Sequence, residues 1–373
     1  MNITIVGTAY PLRGGIAHYN ALLYRELSSG HSVDVVTFRR QYPAFLFPGR
    51  TQREEGAVDE FRVPSAVLVD SINPFNWIST GRRIRARHPD MLVFKYWLPF
   101  FGPCFGTIAR IVKKGSGTKV VFICDNVIPH ERRPGDVLFT RYALGSADGY
   151  IVQSRAVERD LQSLFPRARY EYVPHPVYHG FGSAVDQAEA RLRLAVSARC
   201  VLLFFGYVRR YKGLDVLLDA VAMLRGRLDI ALFVVGEFYD DEDPYREQIR
   251  RLNLETIVTV RSDYVPNDEV KYYFSAADAV VLPYVSATQS GIAQIAYNFD
   301  LPVIATNVGG LSEVVRDGET GLLVPPNDPA ALAGRIFEYF TSVDRARLRL
   351  VIAEEKKKYS WENLVAAIER LGR

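Results

Sequence analysis

Short apolar runs rich in Val, Ile and Phe alternate with amphipathic stretches along most of the chain, the pattern of a parallel sheet covered by helices. In the first half this pattern predicts strands at 3–7, 32–38, 91–94, 119–123, 149–153 and 170–173. Helices are predicted at 16–27, 77–87, 106–114, 136–146 and 154–165. The alternation stops at Pro174-His175-Pro176 and resumes after Asp186; two prolines and two glycines in this stretch predict a stiff, exposed connector. Beyond it, strands are predicted at 201–205, 230–235, 257–260, 279–282, 303–305 and 321–324. The matching helices are 213–224, 244–252, 270–275, 291–298, 310–316, 329–341 and 344–358. Two successive α/β sets joined by one connector predict two doubly wound, Rossmann-like domains. Ligands of such sheets bind at loops leaving the carboxyl ends of strands, so the expected site is a cleft between the domains.

The length of 373 residues suits two domains rather than one core, and 48% hydrophobic with 24% charged residues suits a folded chain. Cys104, Cys124 and Cys200 show no paired spacing, which argues against disulfides or a cysteine zinc site and fits a reducing setting. The start of the chain opens on a strand pattern without the basic and apolar regions of a signal peptide. The most apolar stretch, 91–112, is broken by Lys95, Pro99, Gly102, Pro103 and Gly106. The expectation is a cytoplasmic protein, at most resting on the inner face of a membrane. Charge sharpens this. Residues 1–186 hold 23 Lys and Arg against 16 Asp and Glu, whereas residues 187–373 hold 23 against 26. Arg82, Arg83, Arg85, Arg87, Lys113 and Lys114 are the densest part of that excess, read either as solvated helix faces or as attraction to anionic lipid. No nucleic-acid-binding signature accompanies it.

Candidate chemistry lies where strands hand over to helices. Gly14-Gly15 sits between the first strand and first helix; it is either a tight turn or a place where backbone amides approach a phosphate. Residues 205–214 leave a buried strand and enter a helix with Arg209, Arg210 and Lys212 packed into the turn. Cations sit poorly beside the positive end of a helix; a bound diphosphate would resolve the conflict, the other reading being a solvated basic loop. Residues 286–291, including Gln289, Ser290 and Gly291, fit an N-cap, read either as simple capping with no ligand or as a helix start whose first-turn amides face the expected cleft. Phe100-Phe101 beside Trp97 reads as core or as an apolar acceptor wall. Asp241 and Asp243 form a D-x-D spacing, but the acidic run at a helix start explains them without a metal.

Taken together these segments resemble glycosyltransferase family 4, the retaining enzymes of GT-B fold (group 1). The pieces that carry the resemblance are Gly14-Gly15-Ile16, residues 211–215, Ala276-Ala277-Asp278, and above all the ordered run from Leu301 to Glu313 followed by 317–321. The resemblance implies a GT-B arrangement of an N-terminal acceptor domain at 1–180 and a C-terminal nucleotide-sugar domain at 187–358, two facing Rossmann-like halves with a cleft between them. It also implies that the last helix, about 359–373, returns to the first domain. Gly15 amides and Lys212 would touch the donor diphosphate, with Arg209 or Arg210 supplying a cation that the family places where Tyr207 stands. Glu237, Gln289, Ser290, Gly291 and Ile292 would line the donor side. Asp125 stands where the family places a histidine beside the reacting centre, with His130 nearby; one of them would shape the acceptor side. Two family glutamates fall on Ala287 and Ile295, neither of which can accept a hydroxyl hydrogen bond.

The expected activity is therefore metal- and cofactor-independent hexosyl transfer from a UDP- or GDP-sugar to a glycan or lipid-linked acceptor. Cell-surface polysaccharide, lipopolysaccharide or glycolipid synthesis is the expected setting. Two other readings stay open: a catalytically silent GT-B homologue that binds nucleotide sugar or partners an active enzyme, and a different two-Rossmann enzyme such as an epimerase or phosphorylase.

Overall fold

The computed structural model describes residues 1–43, 52–53, 61–129 and 133–373. The chain divides into two compact units: Met1–Pro176 with Tyr359–Arg373, and Val177–Lys358.

Unit 1 alternates strands and helices: β1 (Asn2–Val6), α1 (Gly15–Ser28), β2 (Ser32–Arg40), β3 (Ala66–Asp70), α2 (Pro74–Arg85) and β4 (Met91–Tyr96). It continues with α3 (Gly102–Lys113), β5 (Lys119–Cys124), α4 (Asp136–Leu144), β6 (Gly149–Val152), α5 (Arg155–Leu164) and β7 (Tyr170–Tyr172). Its seven strands are parallel in the order β3-β2-β1-β4-β5-β6-β7, with the order reversing between β1 and β4. β4 and β5 are buried along nearly their whole length, as expected for strands covered on both faces. The Phe94 and Phe122 rings stack across them at 4.8 Å between centroids. The unit closes with α14 (Trp361–Gly372), capped by the Ser360 side chain.

Unit 2 holds α6 (Gln187–Arg193), β8 (Cys200–Phe205), α7 (Leu214–Leu224), β9 (Ile230–Val235), α8 (Asp243–Arg251), β10 (Val258–Arg261) and α9 (Asn267–Ala276). Then come β11 (Ala279–Leu282), α10 (Gly291–Asn298), β12 (Val303–Thr306), α11 (Leu311–Val314), β13 (Gly321–Val324), α12 (Pro329–Thr341) and α13 (Arg345–Glu355). Its six strands run β10-β9-β8-β11-β12-β13, again parallel and again reversing next to the first strand of the set. Buried Asp278 ties the unit together. It accepts from Arg191 at 2.8 Å and from the Val201 amide at 2.8 Å, while its carbonyl accepts from the Tyr339 hydroxyl at 2.6 Å.

Three expectations need correction. The stretch after Pro176 is not an exposed connector: Tyr178 and Phe181 are buried in unit 2, and the Val185 amide donates to Ser275. Helices α2 and α3 begin earlier than periodicity indicated. In each a proline occupies the first turn, where its missing N–H costs nothing, and Asn73 caps α2 by accepting from the Phe75 and Asn76 amides. Helix α11 is a single turn, shorter than predicted.

Candidate functional site

The carboxyl-end rim of unit 2 gathers the loops after β8, β9 and β11. Gly206 closes β8 at φ +93°, and a Cβ there would lie 3.1 Å from Ile292 Cδ1 and 3.4 Å from Lys212 Nζ. Lys212 and Ile292 therefore share the space that this glycine leaves open. The next turn, a short 3-10 helix at Arg210–Lys212, ends on Gly213 at φ +67°. A Cβ on Gly213 would come within 2.1 Å of the Pro283 carbonyl oxygen, so the turn is pressed against the strand end of β11. The Val285 amide donates to the Tyr211 carbonyl at 2.7 Å, fastening the 283–291 segment to the same turn.

Lys212 is buried, and burial followed by the nearby Arg209 charge pushes its pKa down from 10.5 to about 7. Among the described residues no carboxylate pairs with it; its ammonium lies 5.5 Å from the Tyr284 ring centroid. Arg209 lies over the Tyr239 ring at 4.9 Å, and Tyr207 packs on Tyr239 at 4.3 Å. Arg210 is exposed, and its amide donates to Asp240. Of the two arginines, Arg209 is the one whose charge Lys212 feels. Glu237 is buried after β9, its carbonyl accepting from the Val208 amide at 2.9 Å.

Ser290 is the N-cap residue of α10, yet its side chain makes no capping hydrogen bond. The cap expected of it is absent, and the first-turn amides of Ile292 and Ala293 are left without that partner. Gln294, one turn on, is wholly buried, and among the described residues neither its Oε1 nor its Nε2 has a hydrogen-bond partner. Ala287 and Ile295 are buried, and the Ala287 carbonyl lies so close to Gly309 (φ +48°) that a Cβ there would approach it to 1.5 Å. Backbone packing thus fills the surroundings of Ala287.

Unit 1 gathers a second constellation at its own carboxyl-end rim. Gly14 precedes α1 at φ +108° and offers no side-chain cap, which leaves Gly15 at the helix start. Asp125 follows β5 directly, its amide bound to the Tyr96 carbonyl at 2.8 Å. Its Oδ1 pairs with Lys95 Nζ at 2.6 Å, and both side chains are buried. Lys95 also donates to Gln153 Oε1 at 2.8 Å and sits 3.4 Å from the Tyr19 ring centroid, while Gln153 Nε2 donates to the Tyr19 hydroxyl. His175 packs edge-on against Tyr19, and burial, with a smaller push from Lys95, lowers its pKa to about 3, so it is neutral. His130 lies outside the described residues. Phe101, 4.5 Å from Trp97 between centroids, is core rather than wall. Sequence reasoning missed Lys95 as chemistry and gave Gln153, Tyr19 and His175 no role. The signal for Lys95 was a lone cation inside a strand buried throughout, Met91–Tyr96. At the D-x-D spacing, Asp241 Oδ1 accepts the Asp243 amide at 3.1 Å, a turn at the start of α8.

Two doubly wound parallel sheets, the second carrying a basic turn and an uncapped helix start at its rim, are the two halves of a GT-B fold. The profile "Glycosyl transferase 4-like domain" matches residues 14–176, and "Glycosyl transferases group 1" matches 199–342. The chain belongs to glycosyltransferase family 4, the group 1 glycosyltransferases, and is a glycosyltransferase.

Among its relatives, the D-inositol 3-phosphate glycosyltransferase of Acidothermus cellulolyticus is 29% identical over 95% of this chain and 84% of its own length. The protein of that name from Streptomyces coelicolor is 31% identical over 69% of this chain and 56% of its own length. Anabaena HepE, solved in complex with UDP and glucose, superposes with a TM-score of 0.78 at 17% identity over 99% of this chain and 98% of that one. Sucrose-phosphate synthase from Thermosynechococcus elongatus gives a TM-score of 0.74 at 20% identity over 100% and 98% of the two chains. Among the described residues no helix is long and apolar enough to cross a membrane.

Proposed function

We propose that the chain transfers a hexosyl unit from a nucleotide-diphosphate sugar to a hydroxyl of a glycan or lipid-linked acceptor, with retention of configuration. The observation that carries this is Lys212, a buried ammonium with no carboxylate partner among the described residues, set beside Gly206 and the uncapped start of α10. A diphosphate supplies the negative charge this turn lacks. UDP in the HepE structures supports a uridine or similar nucleotide. As the acceptor oxygen bonds to the anomeric carbon, the bond from that carbon to the diphosphate breaks and the acceptor proton passes to a diphosphate oxygen. Negative charge then grows on the leaving group, where Lys212, Arg209 and the Gly291 and Ile292 amides stabilise it; preorganised donors of this kind contribute about 3 kcal/mol each. No metal ion or cofactor is needed in this scheme. Gly15 would add amides, Glu237 and Gln289 would line the nucleotide side, and Asp125 would orient the acceptor. A lipid-linked acceptor in cell-surface polysaccharide or lipopolysaccharide synthesis, met through peripheral contact with an anionic membrane, fits the basic first unit.

The apolar Ala287 and Ile295 favour a second reading, a silent homologue that binds donor without turning it over. Thermal shift against UDP-, GDP- and ADP-sugars, followed by assay of nucleoside diphosphate release, separates the two. One donor should raise the melting temperature and release its nucleotide when acceptor is present. A shift without release for any acceptor establishes the silent reading, and no shift with any donor removes both.

A further inference from the structure

Unit 1 presents a surface that the transfer chemistry does not use. Helices α2, α3 and α4, which follow three strands of one parallel sheet, are pressed into a single layer by glycines. A Cβ on Gly81 would lie 2.9 Å from Ile111, one on Gly102 2.4 Å from the Phe139 carbonyl oxygen, and one on Gly106 2.8 Å from the Tyr142 carbonyl oxygen. α3 is consequently sunk between its neighbours, with most of its residues buried, and α2 and α4 stand as ridges beside it.

Both ridges carry exposed apolar side chains at the same end. Ile72 lies in the turn before α2, and Phe75 and Ile78 in its first two turns; Val137, Leu138 and Phe139 lie in the first turn of α4. Phe75 is 83% exposed and Leu138 68%. Scattered exposed apolar residues need no explanation, but a clustered set on adjoining ridges marks a contact surface. The charge on the same layer is nearly all of one sign. The three helices carry Arg82, Arg83, Arg85, Arg110, Lys113 and Arg141 against the single carboxylate Asp136. Among the described residues, Arg82, Arg83 and Arg85 enter no ion pair, and α2 contains no carboxylate.

We propose that this three-helix face docks on an anionic phospholipid surface, with the Phe75 and Leu138 ends entering the headgroup layer and the α2 arginines meeting lipid phosphates. The proposal rests on the membrane contact proposed above and gives it a location; it does not depend on the donor chemistry. A bilayer is favoured over a protein partner because, of the six cations on the three helices, only Lys113 pairs with a carboxylate, Asp148, among the described residues. That pattern matches a laterally uniform negative surface rather than a mosaic of paired charges.

The test is co-sedimentation of the full chain with vesicles of phosphatidylcholine alone and of equal parts phosphatidylcholine and phosphatidylglycerol. The chain should sediment with the anionic vesicles only, and less as salt rises. Phe75→Ser with Leu138→Ser should weaken binding about tenfold or more, and Arg82→Gln with Arg83→Gln and Arg85→Gln by about tenfold or more. Both sets lie on the surface, and thermal melting checks that each variant is folded; the arginine set alone decides the matter if the apolar pair is not. Equal binding to both vesicle types, no binding, or binding unchanged in the variants would overturn the proposal. So would a dimer, seen by light scattering, that dissociates in the Phe75 and Leu138 variant while no vesicle binds, since the face would then belong to a second copy. Vesicle binding needs no nucleotide sugar, so its failure leaves the transfer assay unaffected and the reverse also holds.

Discussion

Each unit buries one lysine at the carboxyl-end rim of its sheet, and the two are treated in opposite ways. Lys95 is surrounded by Asp125, Gln153 and the Tyr19 ring, so its charge is answered inside the protein. Lys212 has Arg209 for company and, among the described residues, no carboxylate; burial lowers the pKa of both lysines, but only at Lys95 does a carboxylate, Asp125, oppose the shift, and that of Lys212 falls to about 7. A buried charge that is fully answered holds its neighbours in place; one left unanswered is ready for an anion from outside. The difference sets Lys95, which pairs with Asp125, apart from Lys212, proposed above to meet the donor diphosphate.

The largest expected effect tests the first half of this contrast. Lys95→Met takes the paired ammonium away from the buried Asp125 carboxylate, and should lower unfolding free energy by about 3–5 kcal/mol in urea titration. Restoring much of that loss by adding Asp125→Asn would show that the pair, rather than the lysine's bulk, carries the effect. A negligible loss in the single variant would break the contrast.

Next in size, Lys212→Met should weaken nucleotide-sugar binding by about 2–3 kcal/mol in calorimetry, roughly 30- to 150-fold, while leaving the unliganded chain no less stable. Destabilisation on the scale of the Lys95 variant would mean that Lys212 is answered internally after all.

A smaller effect follows from pH. The folded-state pKa of Lys212 lies below its ordinary 10.5, so between about 7 and 10.5 the unfolded chain binds more protons at this site. The contribution of Lys212 to unliganded stability therefore rises with pH across that window, and below about 7 its full penalty remains. Anion binding runs the other way, because only the ammonium attracts the diphosphate: affinity should fall by up to about tenfold per pH unit above about 7. Affinity constant from pH 7 to 9 would remove Lys212 from the diphosphate contact.

The smallest effect is that of Arg209→Gln. Losing the neighbouring cation should move the midpoint of that pH profile upward by a fraction of a unit, since burial and not Arg209 is the larger cause of the shift. An unmoved midpoint would separate the two side chains.

The regular parts of both sheets were legible because buried parallel strands are written as apolar runs: 230–235, 279–282 and 321–324 match β9, β11 and β13 to the residue. β3 escaped notice because it is an edge strand with half-exposed positions, so neither a continuous apolar run nor a clean alternation marks it. α6 is seven residues held chiefly by Arg191 reaching Asp278 and Ala276, partners far along the chain that local pattern cannot reveal. At the site, the basic turn was legible because three cations at a helix start conflict with local electrostatics. Lys95 was not, since a single lysine in an apolar strand becomes informative only when Asp125 and Gln153, on two other strand ends, are seen around it. Tyr178 and Phe181 were hidden by the prolines and glycines beside them, which suggested exposure where the ring positions demanded burial.

One feature of unit 1 bears on how the chain is made. Trp361 lies against Tyr19 at 5.0 Å between ring centroids, Leu371 fills the space above Gly149, and Arg370 forks onto Glu171. During vectorial synthesis the half that leaves the ribosome first therefore lacks its closing helix until the whole of unit 2 has been made. The nascent protein must keep an unfinished α1 face waiting through the whole translation of the other unit, a period in which a holding chaperone has its natural opportunity.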